Sequence, residues 1–178
     1  GTGSGIGKAT ADLLLTKNYF VYGFSRTNKI NHPNFVHIKI DLTNIHVLKK
    51  LSLPKIKTDS ILLINNAASI GEINSLNLKS NENIINEYNL NIIAPTLLCK
   101  KFIYQYRNIK KLILNISSGA AKNAIASWSI YCASKSALDM LTNVIDKENH
   151  FMLDVFSVHP GIVNTCLLYT SDAADDLV

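Results

Sequence analysis

The chain has 178 residues, 47% hydrophobic and 17% charged, which fits one globular domain and excludes a collagen, a disulfide miniprotein and a disordered acidic tail. Its longest apolar runs, at 60–64 and 112–116, are strand-length and far short of the roughly 20 apolar residues of a membrane helix. The charge of +5 rests on 18 Lys and Arg, but 16 of these are Lys, scattered in pairs such as Lys49-Lys50 and Lys110-Lys111 where a nucleic-acid footprint would gather them on one face.

The chain opens on a glycine-rich turn, Gly1-Thr2-Gly3-Ser4-Gly5-Ile6-Gly7, that runs into a helical stretch at 8–17. Residues 19–24 read as a short buried strand and 35–40 as a second, with Phe35, His37 and Lys39 alternating against Val36, Ile38 and Ile40. Asp41-Leu42-Thr43-Asn44 starts a short helix with Thr43 or Asn44 as its N-cap, and 61–64 is a third strand. A long helix is predicted over 82–106, with Ile84, Ile85, Tyr88, Ile92 and Ile93 at helical spacing and Pro95 bending it. A strand at 112–116, a helix at 129–147 and a strand at 153–158 complete the pattern. Strands separated by helices imply right-handed crossovers and an α/β domain with a doubly wound parallel sheet.

Lys, Asn and Ile together supply 58 residues, and their shared A/T-rich codons account for the basicity without a nucleic-acid partner. Cys99, Cys132 and Cys166 stand in no CxxC or Cys/His ligand spacing, which predicts reduced thiols, a cytoplasmic setting and no structural metal.

Both ends depart from the pattern. A glycine turn of this kind is delivered by a buried strand, and strand order would place that strand centrally, between those at 19–24 and 61–64. The expectation is a truncated domain that lacks its first strand, its substrate loop and its last strand, and is inactive by itself. Residues 166–176 can be back-translated into an oligonucleotide resembling a transposase-type sequencing adapter. Residues 1–165 are therefore expected to form a dinucleotide-binding catalytic domain, and 166–178 an artefactual tail. Without the tail's Asp172, Asp175 and Asp176, eighteen basic residues face ten acidic ones and the charge is +8.

Gly1, Gly5 and Gly7 precede the first helix at a spacing that lets backbone approach a pyrophosphate and lets helix N-terminal N–H groups face it. A triphosphate-binding P-loop would need Gly at position 2 and Ser or Thr at position 9, where the chain has Thr2 and Ala9. The following strand ends in Ser25-Arg26, where an acidic residue would exclude a ribose 2′-phosphate. A guanidinium holds such a phosphate by paired charge-assisted hydrogen bonds, so NADP (as NADPH) is favoured over NAD.

Tyr131 and Lys135 share one helix face at i, i+4 spacing, and an ammonium beside a phenol is expected to lower the phenol's pKa into a range useful for proton transfer. Ser118 lies thirteen residues upstream of Tyr131 at a strand end, and that spacing selects it over its neighbour Ser117.

These features, together with Asp41-Leu42, Asn65-Asn66-Ala67, Asn91 and Pro160-Gly161-Ile162-Val163-Asn164-Thr165, resemble the short-chain dehydrogenase/reductase family and its Rossmann fold. Trp128-Ser129-Ile130-Tyr131-Cys132-Ala133-Ser134-Lys135 and Asp139-Met140-Leu141 are most similar to sepiapterin reductases and bacterial benzil reductases. The resemblance implies an NADPH-dependent carbonyl reductase. Tyr131 would give a proton to the carbonyl oxygen, Lys135 would bind the nicotinamide ribose and tune Tyr131, Ser118 would hydrogen-bond the substrate oxygen, and Asn91 would hold a water in a proton relay.

For the cofactor, the resemblance implies contacts from Gly1, Ser4, Gly5, Ile6 and Gly7, with Ser25 and Arg26 at the 2′-phosphate and Asp41 and Leu42 at adenine. Asn65, Asn66 and Ala67 would line the cleft, and Pro160, Gly161, Val163 and Thr165 would lie at the nicotinamide end. A small-molecule carbonyl substrate and a homodimer or homotetramer are also implied. Ala68 stands where the family's NNAG has Gly, and its methyl is expected to tighten the loop. His159 reads as a strand-end packing residue, Cys132 as packing, and Trp128 as a lid or a core aromatic. Two other readings compete. A catalytically silent NADP-binding redox sensor is disfavoured by the intact Asn91, Ser118, Tyr131 and Lys135. A sugar-nucleotide epimerase would carry GxxGxxG, but Ser4 occupies its second glycine position.

Overall fold

A computed structural model describes residues 1–161. Helices and strands alternate along it: α1 (Gly5–Thr16), β1 (Val21–Ser25), β2 (Phe35–Lys39), α2 (Ile45–Lys50), β3 (Ser60–Asn65), α3 (Asn81–Tyr88), α4 (Ala94–Gln105), β4 (Lys110–Ile116), α5 (Ser129–Lys147) and β5 (Leu153–Val158). Every pairing is parallel, β1 with β2 and β3 with β4 with β5. Parallel neighbours need crossover connections, which helices supply between β3, β4 and β5, while the segment 26–34 that joins β1 to β2 carries no helix. The register sets Asn65 opposite Asn115 and Asn115 opposite Ser157.

Among the described residues no ladder joins β1 to β3. Residues of both, including Tyr22 and Phe24 of β1 and Ile61 and Leu63 of β3, line a cavity of about 1000 Å³. The main core lies between the β3–β4–β5 sheet and helices α2 and α4, where Leu48 and Ile113 are fully buried with Leu98, Phe102 and Val155 around them. A smaller cluster of Ala11, Leu15 and Ile30 seats α1. No described helix is long and apolar enough to cross a membrane.

Local chemistry fixes several boundaries. Asn44, not Thr43, caps α2, its Oδ1 accepting from the Val47 amide at 3.2 Å. The single long helix expected at 82–106 is instead two α-helices joined by a π-turn at Asn89–Ile93, with Pro95 in the first turn of α4. Proline has no N–H to donate, and in a regular helix its ring would meet the carbonyl four residues back. The wider turn relieves that clash, and Thr96 Oγ1 bonds the Ile92 carbonyl at 2.7 Å. At the far end of the sheet Lys111 is buried, and its ammonium donates to the carbonyls of Arg107, Ile109 and Phe151, so the buried charge keeps three partners.

Candidate active site

The carboxyl ends of β3, β4 and β5 and the glycine turn before α1 meet on one side of the domain, where open parallel sheets carry their ligands. Gly5 takes φ +55°, a left-handed conformation that glycine adopts without strain, and so starts α1 sharply. Gly7 lies against the Gly1 carbonyl and the Asn66 amide, so close that a Cβ there would collide with both. Asn66 Nδ2 donates to the Gly1 carbonyl at 3.2 Å, and Gly1 packs on Ala67. The first turn of α1 thus lies at the end of β3, with Ser4 at the N-cap position and Ile6 in the first turn, and helix N-terminal N–H groups of this kind can hold a phosphate.

Tyr131 and Lys135 are both buried near the start of α5. Ser118 follows β4; its hydroxyl accepts from the Ala120 amide at 3.2 Å and lies beside the Tyr131 side chain. The structure therefore brings the three predicted residues together. Trp128 meets Tyr131 edge-on with ring centroids 5.7 Å apart, and Ile70, Ile73, Ala120 and Cys132 complete a small apolar cluster around it. Trp128 is thus a wall of the site rather than part of the main core.

The electrostatics differ from the expectation at one point. Lys135 Nζ donates to the Ile116 carbonyl at 2.7 Å and lies 5.7 Å from the Tyr131 ring centroid. Tyr131 is pushed up from its ordinary pKa, not down, because burial dominates; the nearby Ser118 hydroxyl opposes the rise and Cys132 adds to it. Burial also brings the Lys135 ammonium down to about 8, against the pull of Asp139. A phenol raised in this way is protonated at neutral pH, the form a proton donor requires.

Asn91 sits in the π-turn with its side chain spoken for. Its Oδ1 accepts from the Ser69 amide at 2.9 Å, and its Nδ2 donates to the Ser69 carbonyl at 2.8 Å and the Ser134 hydroxyl at 3.1 Å. Through its side chain Asn91 clamps the segment carrying Ile70 and Ile73 to α5. Asn65 is likewise committed, donating to Asn115 Oδ1 at 2.8 Å and to Cys99 Sγ at 3.3 Å. Ala68 keeps a negative φ, so its methyl adds no backbone strain.

The ribose-end residues are split. Ser25 is buried, and its hydroxyl contacts the Thr27 carbonyl, His37 and Thr2. Arg26 is exposed beside it. Asp41 accepts from both the amide and the hydroxyl of Thr43, which hold its carboxyl below its ordinary pKa against burial, and Arg26 adds to the lowering. Leu42 is buried in the main core. Pro160 and Gly161 are exposed after β5, whereas Val163, Thr165 and the tail lie outside the described residues.

Three charged side chains, Lys79, Glu87 and Asp139, received no role from sequence reasoning. Lys79 and Glu87 form a buried pair at 3.3 Å between the segment before α3 and α3 itself, with Glu87 Oε2 buried and unpartnered. Asp139 receives Ser157 Oγ at 2.7 Å and lies 3.0 Å from His159. His159 is therefore a polar partner of α5, not an apolar packing residue. The signal for Asp139 was present in the sequence, since it follows Lys135 by the same four residues that separate Lys135 from Tyr131.

The cavity of about 1000 Å³ is lined by Asn65, Asn66, Ala67 and Asn91 but not by Ser118, Tyr131 or Lys135.

Comparison with known proteins agrees with this geometry. The profile of the short chain dehydrogenase family matches residues 1–176. Benzil reductase ((S)-benzoin forming) of Bacillus subtilis (strain 168) is 32% identical over 93% of this chain and 73% of its own length. Sepiapterin reductase of Rattus norvegicus is 30% identical over 68% of this chain and 47% of its own length. The solved structure of 4-hydroxyisoleucine dehydrogenase complexed with NADH superposes with a TM-score of 0.80 at 32% identity, covering 94% of this chain and 75% of that one. The family profile over residues 1–176 and the relatives matched over nearly the whole chain establish that this protein belongs to the short-chain dehydrogenase family of NAD(P)-dependent oxidoreductases.

Proposed function

We propose that the chain is the catalytic domain of an NADPH-dependent carbonyl reductase acting on a ketone or diketone, with Tyr131 as proton donor. The observation that carries this reading is the buried Tyr131 side chain, set beside Ser118 and Lys135, with its phenol kept protonated by burial. Bound NADPH would supply the hydride. Ser118 would hold the carbonyl oxygen beside the phenol, and as negative charge grows on that oxygen Tyr131 would release its proton to it. Lys135 would bind the ribose and stabilise the resulting phenolate with its ammonium. The apolar wall of Ile70, Ile73 and Trp128 suits an aromatic or aliphatic carbonyl compound better than a charged one. The relative named benzil reductase supports the same class.

Arg26, exposed at the end of β1 with no acidic residue at position 25, supports NADPH over NADH. Exposed apolar side chains on α5 (Met140, Val144) and α3 (Ile85) support a homodimer or homotetramer. The test is loss of NADPH absorbance with a panel of diketones, pterins and aldehydes in the full-length protein. Tyr131→Phe is expected to lower kcat by at least ~100-fold. No oxidation across the panel, or full activity in Tyr131→Phe, would overturn the proposal.

A further inference from the structure

Helix α5 presents Tyr131, Lys135 and Asp139 at successive four-residue steps, so all three lie on one face. Only the first two belong to the proposed reaction chemistry. The Asp139 carboxylate is bound from the neighbouring strand: Ser157 Oγ donates to it at 2.7 Å, and His159 Nε2 approaches at 3.0 Å. Ser117 Oγ, buried at the end of β4 and short of ordinary hydrogen-bond geometry, adjoins the same carboxylate. Ser157 also contacts Thr142 at 3.3 Å, and Thr142 accepts from Asn115, which in turn accepts from Asn65. Asp139 therefore ends a hydrogen-bonded row that crosses β3, β4 and β5 at one level. His159 directly precedes Pro160-Gly161.

We propose that Asp139 is a positioning residue that ties the segment leading into Pro160-Gly161 to α5 through Ser157 and His159, and that its carboxylate, one helical turn beyond Lys135 on the same face, is the counter-charge of that buried side chain. Around Lys135 the groups are few. Its own helix offers Tyr131 and Asp139 and β4 offers the Ile116 carbonyl, while Ser117 and His159 lie against Asp139 and the neutral Asn91 side chain bonds the neighbouring Ser134. Asp139 is the charge that raises Lys135 against its burial. Without it the ammonium would lose its proton within the neutral range, and with it the proposed hold on the ribose and on the Tyr131 phenolate.

The inference rests on the reductase reading for its catalytic consequence, so the experiment has one arm that does not. In the full-length protein with ¹³Cε-labelled lysine, the Lys135 signal, assigned by its absence in Lys135→Arg, is titrated in the wild type and in Asp139→Asn. The expected midpoint in Asp139→Asn is lower by about one pH unit. The alkaline limb of kcat should fall by the same amount, the NADPH Kd near that limb should rise several-fold, and Asp139→Glu should restore both. If no carbonyl is reduced by the wild type, the reductase reading fails while the titration and the Kd still decide this one. A merely structural Asp139 would lower the Tm and leave the Lys135 midpoint in place, which overturns the proposal. Should Asp139→Asn not fold, Ser157→Ala replaces it: the carboxylate keeps its charge but loses its tie, so NADPH affinity should weaken while the Lys135 midpoint holds. A shifted midpoint with unchanged affinity in Ser157→Ala would equally refute it.

Discussion

Replacing Lys135 by Met should stabilise the protein at neutral pH while abolishing its chemistry. The Lys135 side chain is buried, and burial has brought its pKa from 10.5 to about 8. A lowered ammonium pKa means that the unfolded chain binds the proton more tightly than the native one. Stability is then depressed below about pH 8 and recovers as the pH rises from about 8 to 10.5. At ~1.4 kcal/mol per pH unit, that gap makes the charged form cost ~3 kcal/mol at neutral pH. Lys135→Met removes this cost but leaves the Ile116 carbonyl without its 2.7 Å partner, a loss of ~1–2 kcal/mol. The variant should therefore be more stable than the wild type at pH 7, by ~1–2 kcal/mol. Its advantage should shrink and reverse as the pH approaches 10.5. Urea denaturation of the cofactor-free, full-length proteins at pH 7 and pH 10 reads both values, and taking the difference between variant and wild type cancels the other lysines. A deficit of equal size at the two pH values would refute the reasoning, because the buried charge would then carry no cost.

Three further outcomes follow from particular contacts. Arg26→Ala should weaken NADPH by ~10-fold, leave NADH nearly unchanged and reduce the salt dependence of NADPH binding, as read by cofactor fluorescence; equal losses for both cofactors would count against a 2′-phosphate contact. Gly7→Ala places a methyl into the Gly1 carbonyl and the Asn66 amide, so the turn must open and NADPH affinity should fall at least ~10-fold; wild-type affinity would show that the close approach is dispensable. Lys79→Met strands the Glu87 carboxylate in a site where its side chain is 3% exposed and should cost ~3 kcal/mol at pH 7. Burial already raises Glu87 from 4.5, against the pull of Lys79. In the variant its pKa should rise further, so stability present below about 4.5 should be lost as the pH climbs through the new value. Glu87→Gln added to Lys79→Met should recover most of the loss, and a pH-independent deficit in the single variant would exclude this cause.

The chain's own pattern determined the alternation of helices and parallel strands, the limits of α5 and β5, and the Tyr131–Lys135 spacing, because each depends on periodicity within one element. The glycine turn was legible for the same reason: close backbone approach and a left-handed φ restrict the residues at Gly5 and Gly7. The π-turn at Asn89–Ile93 was not, since Pro95 signals a disturbance but not which widening of the helix relieves it. Asn91 and Ser69 are 22 residues apart, and Asp139 and Ser157 are 18 apart; only the packing of α5 beside β5 and the π-turn brings these groups into contact. The direction of the Tyr131 pKa was likewise a tertiary matter. Spacing put an ammonium beside the phenol, but burial depth and the Ile116 carbonyl, which claims that ammonium, are properties of the assembled sheet and not of the helix that carries both residues.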